Sequence, residues 1–483
     1  MSKKQQQPKP QPENAPPRAR KPTRRRRKKG MCLEDRPVLE PNAAGIDVGA
    51  REMFVAVPPG RDENPVRVFP TFTEDLEQLA NWLLQCGVTT VAMESTGVYW
   101  IPLYDVLEQR GIRPCLVNAR HMKNVPGRRT DWHECQWLQF LHSVGLLRPA
   151  FRPEEDVCAV RTLLRHRNEL MQAAMQHVQH MQKAMTQMNL QIHHVISDIT
   201  GVTGLAIVDA ILAGERNPTE LSKLRNSRIQ ANQETIRKSL VGNWRLEHLF
   251  TLRQSRELYR TYQQRIVECD LEIEKLLTRF EPRVDPTEKP LPRDQKRNRA
   301  GRKRRKKMGH PNPGFDLRTE AYKLFGVDVT QIPGLENALP LFSEVGRDMS
   351  QWPTAGHFAS WLNLCPDNDI SGGKTLWRGM RTVKNRAGHL FRLAASSLHH
   401  SPTPMGNYLR RMKAKLGPSP AITATAHKIA VIFYTLVKNQ AEYDETIWAA
   451  RDTEREKRLE RRLKRQAKQL GYELVPIQEK PAA

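Results

Sequence analysis

Two short apolar runs near the start of the chain are each interrupted by a carboxylate: Asp47 in Ala-Gly-Ile-Asp-Val-Gly and Glu94 in Val-Ala-Met-Glu-Ser-Thr-Gly. An acid at the end of a buried strand loses its hydration, so the strands that carry it must converge on a cation or a set of donors. The surrounding pattern supplies a scaffold. Residues 43–48, 51–57 and 66–72 read as three strands, the first two joined by a Gly-Ala-Arg turn, and Thr73 is the expected cap of a helix with Leu76, Leu79, Trp82 and Leu83 on one face. A fourth strand over 88–93 delivers Glu94. A helix over 101–110, a strand over 114–117 and a helix opening near Thr130 follow. Asp131 and Glu134 stand three apart, so they share a face of that last helix.

A strand-borne Asp, a strand-end Glu and a helix-borne acidic pair form the arrangement with which an RNase H-like α/β fold holds two Mg²⁺ ions. Ions roughly 3.5 to 4 Å apart clamp the attacking and leaving oxygens of a phosphodiester.

The length of 483 residues allows two or three domains with ample core. The formal charge of +26 is concentrated. Residues 1–30 carry 12 Lys and Arg against one acid, a net of +11, and residues 281–310 carry 12 against four, a net of +8. Both stretches are rich in Pro, Gln or Gly, and are expected to be disordered arms. Their basic clusters, Arg24 to Lys29 and Arg302 to Lys307, suit salt-sensitive attraction to phosphates; a solubilising tail or linker is the alternative. Seven scattered cysteines without a CxxC pair fit a reducing cytosol. His193–His194 and His399–His400 lack partners at zinc-ligand spacing and read as surface or nucleic-acid-facing residues. The basic, polar N-terminus reads as no signal peptide, and no run approaches the ~20 apolar residues of a membrane span, so the expectation is a soluble intracellular protein.

Residues 154–196 read as one long helix with a stripe of Leu163, Leu164, Leu170, Met171, Met175, Val178, Met181, Met185 and Met188. Such a stripe is a helix-packing or coiled-coil face, its methionines adaptable filler. A Gly-rich break follows Ile199, then a helical turn over 205–212 and a second long helical stretch over 232–280. The two make an antiparallel arm suited to dimerisation or to reaching along a nucleic acid, and the sequence leaves both open. A compact domain begins near Leu317. Its Thr330-Gln-Ile-Pro-Gly-Leu segment, leading into a helix over 335–345, resembles half of a helix-hairpin-helix, with a plain helix start as the alternative. Further on, Ser371-Gly-Gly-Lys374 leaves a hydroxyl unshielded, lets backbone amides approach a phosphate and places Lys374 within reach of it; a flexible loop is the bland reading. A basic stretch and helices over 388–400 and 422–438 complete the domain.

With both halves in view, the chain resembles the DEDD-type insertion-sequence transposases, the group related to pilin-gene invertases and described as bridge-RNA-guided recombinases. The matching motifs are Gly45-Ile-Asp-Val-Gly, Met93-Glu-Ser-Thr-Gly-Val-Tyr-Trp, Asn118-Ala-Arg, Arg129-Thr-Asp through Gln136-Trp-Leu, and Ser371-Gly-Gly-Lys with the Arg and Asn stretch after it. The resemblance implies an α/β RNase H-like (RuvC-like) domain, a helical coiled-coil arm and a mainly α C-terminal transposase domain. The corresponding map is a basic arm at 1–40, the catalytic domain at 41–150, the arm at 151–280, a basic insertion at 281–316, the serine domain at 317–445 and a basic helical tail at 446–483.

It further implies that Asp47, Glu94, Asp131 and Glu134 bind Mg²⁺, two ions being possible, and that Ser371 attacks the scissile phosphate to form a covalent protein–DNA link. Arg128, Arg129, Gly372, Gly373, Lys374, Arg378, Arg381, Lys384 and Arg386 are the expected nucleic-acid contacts. The implied partners are target and donor DNA, a noncoding guide RNA and further copies of the chain, as a homodimer or homotetramer in which the acids of one protomer complete the serine site of another. No membrane partner is implied; the setting is a prokaryotic cytoplasm, at the nucleoid. One departure stands out: the fourth acid, usually Asp, is Glu134, one methylene longer and equally able to ligate Mg²⁺. Three rivals remain. Gly-Ile-Asp-Val-Gly also opens the phosphate loop of actin-like sugar kinases, a hydrolytic junction nuclease would use Ser371 only as a phosphate contact, and an RNA-binding scaffold would use none of these groups chemically.

Overall fold

The computed structural model describes residues 36–95, 97–118, 131–293, 313–377, 379, 385–473 and 475. The expected contacts Arg128, Arg129, Arg378, Arg381 and Lys384, and the basic clusters at 24–29 and 302–307, lie outside the described residues. The chain divides into two compact units, Met1–Phe151 and Arg152–Ala483.

The first unit is built on a five-stranded sheet of order β3-β2-β1-β4-β5. Its strands are β1 (Ala43–Val48), β2 (Glu52–Ala56), β3 (Val66–Pro70), β4 (Thr90–Glu94) and β5 (Arg113–Val117). β1 pairs antiparallel with β2 and parallel with β4, and β4 pairs parallel with β5. The central strands β1 and β4 are nearly continuous apolar runs because both of their faces are covered. Helices α1 (Thr73–Gln85) and α2 (Trp100–Gln109) pack Leu76, Leu79, Leu83, Leu103 and Leu107 into one core with Ile46, Val91 and Met93. The N-cap of α1 is Phe72, and Thr73 is the first helical residue, so the expected Thr73 cap is one position off. Helix α3 (Asp131–Ser143) covers β1 and β4 with Cys135, Leu138 and Leu141.

In the second unit, α4 (Glu155–Gln187) and α9 (Leu246–Leu277) pack side by side. Their polar contacts fix the direction: Cys269 Sγ meets the Leu163 carbonyl, Arg167 pairs with Asp270, and His177 stacks on Tyr262, so the two run antiparallel. The seam departs from the expected stripe. Val157, Val160, Arg167, Ala174, Val178, Met181 and Met185 are buried, while Met175 is 55% exposed. Neither long helix runs its expected length. α4 stops at Gln187, where Asn189 turns back with φ +57, and the chain passes through α5 (Ile192–Val195), α6 (Val202–Leu212), α7 (Pro218–Lys223) and α8 (Gln233–Ser239). A second break separates α8 from α9, because Gly242 lies against the Met188 carbonyl, where a Cβ would stand only 2.1 Å away.

The rest of this unit is α10 (Leu317–Phe325), α11 (Leu339–Val345), α12 (Ala355–Trp361), the hairpin β6 (Asp369–Ser371) and β7 (Lys374–Trp377), α13 (Arg386–Ser397), α14 (Pro404–Leu416), α15 (Pro418–Asn439) and α16 (Thr446–Gln469). Residues 281–293, expected within a disordered insertion, are tied to this core: Arg283 N donates to the Lys323 carbonyl and Arg318 reaches the Pro292 carbonyl. By length and composition α15 is apolar enough to cross a membrane, contrary to the expectation that no segment is. Its apolar residues are used internally: Phe433 lies 5.4 Å from Phe325 and 5.6 Å from Phe391, ring to ring. The Pro333-Gly334 turn is likewise interior. Gly334 sits at φ +89 with the Ala394 carbonyl 2.3 Å from where its Cβ would be, and Ile332 and Leu335 are buried. The helix begins only at Leu339, four residues later than expected, and the turn at Gly334 packs against α13.

Candidate active site

Register places the first two acids side by side. Ile46 pairs with Met93 across parallel β1 and β4, so Asp47 and Glu94 are next to each other at the carboxyl ends of adjacent strands. The third comes from α3, which beds onto β1 because Gly45 has no side chain: a Cβ there would stand 2.2 Å from the Gln139 amide nitrogen. Gln139 Nε2 donates to the Ala43 carbonyl at 3.1 Å and fixes the helix along the strand. Glu134, in the first turn of α3, thereby joins the other two. Asp47, Glu94 and Glu134 each offer a carboxylate oxygen, and these oxygens all lie within 4.8 Å of one another. Glu94 is buried and the other two are half-buried.

Asp131 is the first residue of α3 and is exposed; it is not one of the three gathered acids. Its charge is nonetheless felt nearby. Burial pushes the Cys135 thiol up to about 12, and the negative charges of Asp47 and Asp131 act in the same direction. Trp132, between the two helix-borne acids, is 44% exposed and meets Phe54 edge to face with ring centroids 6.4 Å apart. Phe54 is the cross-strand partner of Asp47, so an aromatic pair borders the acids on the β2 side. Sequence reasoning quoted Gly45 only as part of a motif and gave no role to Gln139 or Trp132; the Gly two residues before the strand acid and the Trp beside Asp131 were the available signals.

Ser371, Gly372, Gly373 and Lys374 form a two-residue β-turn. Both glycines have positive φ, +56 and +77, as a type I′ hairpin requires. Ser371 is directly opposite Lys374, so hydroxyl and ammonium stems share one face of the exposed hairpin. The ribbon continues through Leu376 and Trp377, and the Asp367 amide donates to the Gly379 carbonyl at its base. Asn385 then caps α13, accepting from the Gly388 amide at 2.8 Å, and exposed Arg386 is the first residue of that helix. Of the histidine pairs, His193 is half-buried with its ring 4.2 Å from that of His194, and His399 bonds Lys413 Nζ. The six described cysteines are free thiols.

Three carboxylates, two at the carboxyl ends of adjacent strands in a sheet ordered 3-2-1-4-5 and one on the helix above them, form a cluster that could hold a divalent cation on an RNase H-like fold. Comparison with known families specifies it. Residues 44–190 match the model of the IS110 DEDD type, described as Transposase, and residues 329–409 match the model described as Transposase IS116/IS110/IS902 family. The chain belongs to the IS110 family of DEDD transposases, enzymes that cut and rejoin DNA. A search of curated proteins found no match.

Proposed function

We propose that this transposase exchanges DNA strands through a covalent phosphoserine link made by Ser371, with Mg²⁺ held by Asp47, Glu94 and Glu134 and with a noncoding RNA choosing the target and donor sites. The observation that carries this reading is the convergence of the three carboxylates within 4.8 Å. Hard oxygen donors of this kind suit a divalent cation, and Asp131, on the same helix, is the candidate ligand for a second ion. Bound metal would supply charge neutralisation at the phosphate and help lower the pKa of the attacking hydroxyl.

The remaining steps belong to the chain's own residues. Ser371 Oγ attacks phosphorus, the bond to the 3′ or 5′ oxygen of the broken strand opens, and the hydroxyl proton passes to solvent or to that departing oxygen. A strand hydroxyl later attacks the phosphoserine and regenerates Ser371, so no free phosphate or water is consumed. Lys374 stands on the face of the hairpin where the phosphate's non-bridging oxygens would collect charge, and the Gly372 and Gly373 amides are unshielded by side chains. Arg386 opens α13, where a cation opposes the helix dipole and a bound phosphate would favour both. In this reading a homodimer or homotetramer brings the acids of one protomer to the serine of another. Arg128, Arg129, Arg378, Arg381 and Lys384 would grip backbones, and base pairing would carry the sequence choice.

The test combines the purified protein, its co-purifying RNA, matched DNA and Mg²⁺, followed by denaturing gels. A protein–DNA adduct is expected for the native chain and is lost in both Ser371→Ala and Asp47→Asn, with DNA binding retained. Metal-dependent nicking that survives Ser371→Ala would replace strand exchange by hydrolysis, and full activity in Asp47→Asn would remove the metal site from the chemistry.

A further inference from the structure

The C-terminal helix α16 lies beyond both family-matched segments and ends in a strongly polarised stretch. From Lys457 to Lys468 it holds seven Lys and Arg against one Glu, a net of +6. At about 100° per residue, Lys457, Arg461, Lys464, Arg465 and Lys468 fall on one side, and Leu459, Leu463, Ala467 and Leu470 on the other. Residues 457–470 are exposed throughout, apart from half-buried Ala467. Arg458 is held by Glu454 and Lys464 by Glu460, surface pairs that exchange readily for a stronger anion.

We propose that the basic face of α16 docks on the phosphate backbone of duplex DNA, as a holding surface separate from the residues that perform chemistry. Charge and length both match. Twelve helical residues span about 18 Å, over which a duplex presents about ten phosphates. Two other occupants fit less well. A second copy joined through the leucine seam would set one +6 segment beside another along a contact of about three turns, too short to offset the repulsion. A bilayer surface asks for a broader apolar face than three leucines and an alanine provide. The choice of DNA rests on the family's activity and not on the Ser371 reading.

The experiment uses the full chain with Arg461→Gln, Arg465→Gln and Lys468→Gln combined, all solvent-exposed positions, and Leu459→Ala with Leu463→Ala as the control. Binding to a fluorescent duplex of arbitrary sequence is followed by anisotropy across a salt series. The triple variant is expected to bind more weakly and to flatten the slope of log K against log salt by about 2.7, near 0.9 per lost contact. The leucine variant keeps the native slope, and circular dichroism shows equal helix content in all three proteins. An unchanged slope in the triple variant overturns the proposal. So does a loss confined to duplex RNA, to vesicle binding or to oligomer size. Adduct formation at Ser371 is read on a separate gel, so failure of one reading leaves the other standing.

Discussion

Gly45 and Cys135 meet so closely that a Cβ on the glycine would lie 2.3 Å from the Cys135 carbonyl oxygen. Asp47 is two residues beyond the first and Glu134 immediately precedes the second, so this backbone contact sets how near the strand acid and the helix acid come. Gly45→Ala must lift α3 from β1. The expected loss is about 1–3 kcal/mol of stability, as for other overpacked sites, read as a lower Tm. Strand cleavage should fall further than the Tm change explains, and wild-type cleavage in a folded Gly45→Ala protein would show that the helix tolerates displacement.

Glu134 and Asp131 are expected to behave differently toward metal. In calorimetric titrations with Mn²⁺, Glu134→Gln should weaken the tighter binding event, whereas Asp131→Asn should affect only a weaker second one. Cleavage in Glu134→Gln should fall by about 100-fold or more, comparable to losing one electrostatic contact to a reacting group. Equal and mild effects of the two substitutions would contradict the placement of Glu134 among the three gathered acids.

The hairpin turn permits a sharper comparison. Gly373→Ala forces a side chain into a left-handed conformation and should cost about 1–2 kcal/mol locally, reducing adduct yield without shifting the Tm of the whole chain. Gly373→Asn should recover much of the yield, because Asn adopts that conformation more readily. Equal yields from the alanine, asparagine and native proteins would show that turn geometry does not aim Ser371.

Acid should loosen the first unit through Asp62. Its carboxylate accepts from Trp82 Nε1, the Asn64 amide and Arg67, which hold its pKa down at about 2. The ordinary Asp value is about 3.9, so these contacts contribute fully above that pH and are lost as pH falls toward 2. The Tm difference between the native protein and Asp62→Asn should therefore be constant from neutrality to about pH 5 and shrink below pH 4. A difference that persists at pH 2 would assign the effect to packing.

Cys135 should be inert in the folded chain. With its thiol pushed up to about 12 and fully buried, iodoacetamide at mildly alkaline pH is expected to leave it unmodified, and urea should expose it. Native-state labelling, read by mass spectrometry, would mean that α3 opens away from β1.

The strands and the acids were legible in the sequence for one reason: carboxylates within apolar runs are rare without a task, and Asp47 and Glu94 stand at strand ends that the apolar runs locate to within two residues. The three-residue spacing of Asp131 and Glu134 identified the helix but not which acid turns toward the strands, since that depends on Gly45 and Gln139. The arm was harder. The apolar stripe runs through Met188 without a Gly or Pro, so nothing local announces the reversal at Asn189, which depends on Gly242 meeting the Met188 carbonyl from some 50 residues away. Arg167 was hidden too, because its burial is offset by Asp270 on the other long helix. Other signals were present but passed over. Thr403-Pro404 caps and opens α14, and Gly-Gly between two extended runs is a hairpin signature that the loop reading ignored.

The two-residue turn also makes the placement of Ser371 a matter of odd and even. Side chains alternate along a strand, so inserting one residue between Ile370 and Ser371 would turn the hydroxyl to the opposite surface of the ribbon. A single extra residue there would put a different side chain on the face shared with Lys374, whereas the register shift between Asp369 and Ile370 shows that the ribbon absorbs a one-residue irregularity farther from its tip.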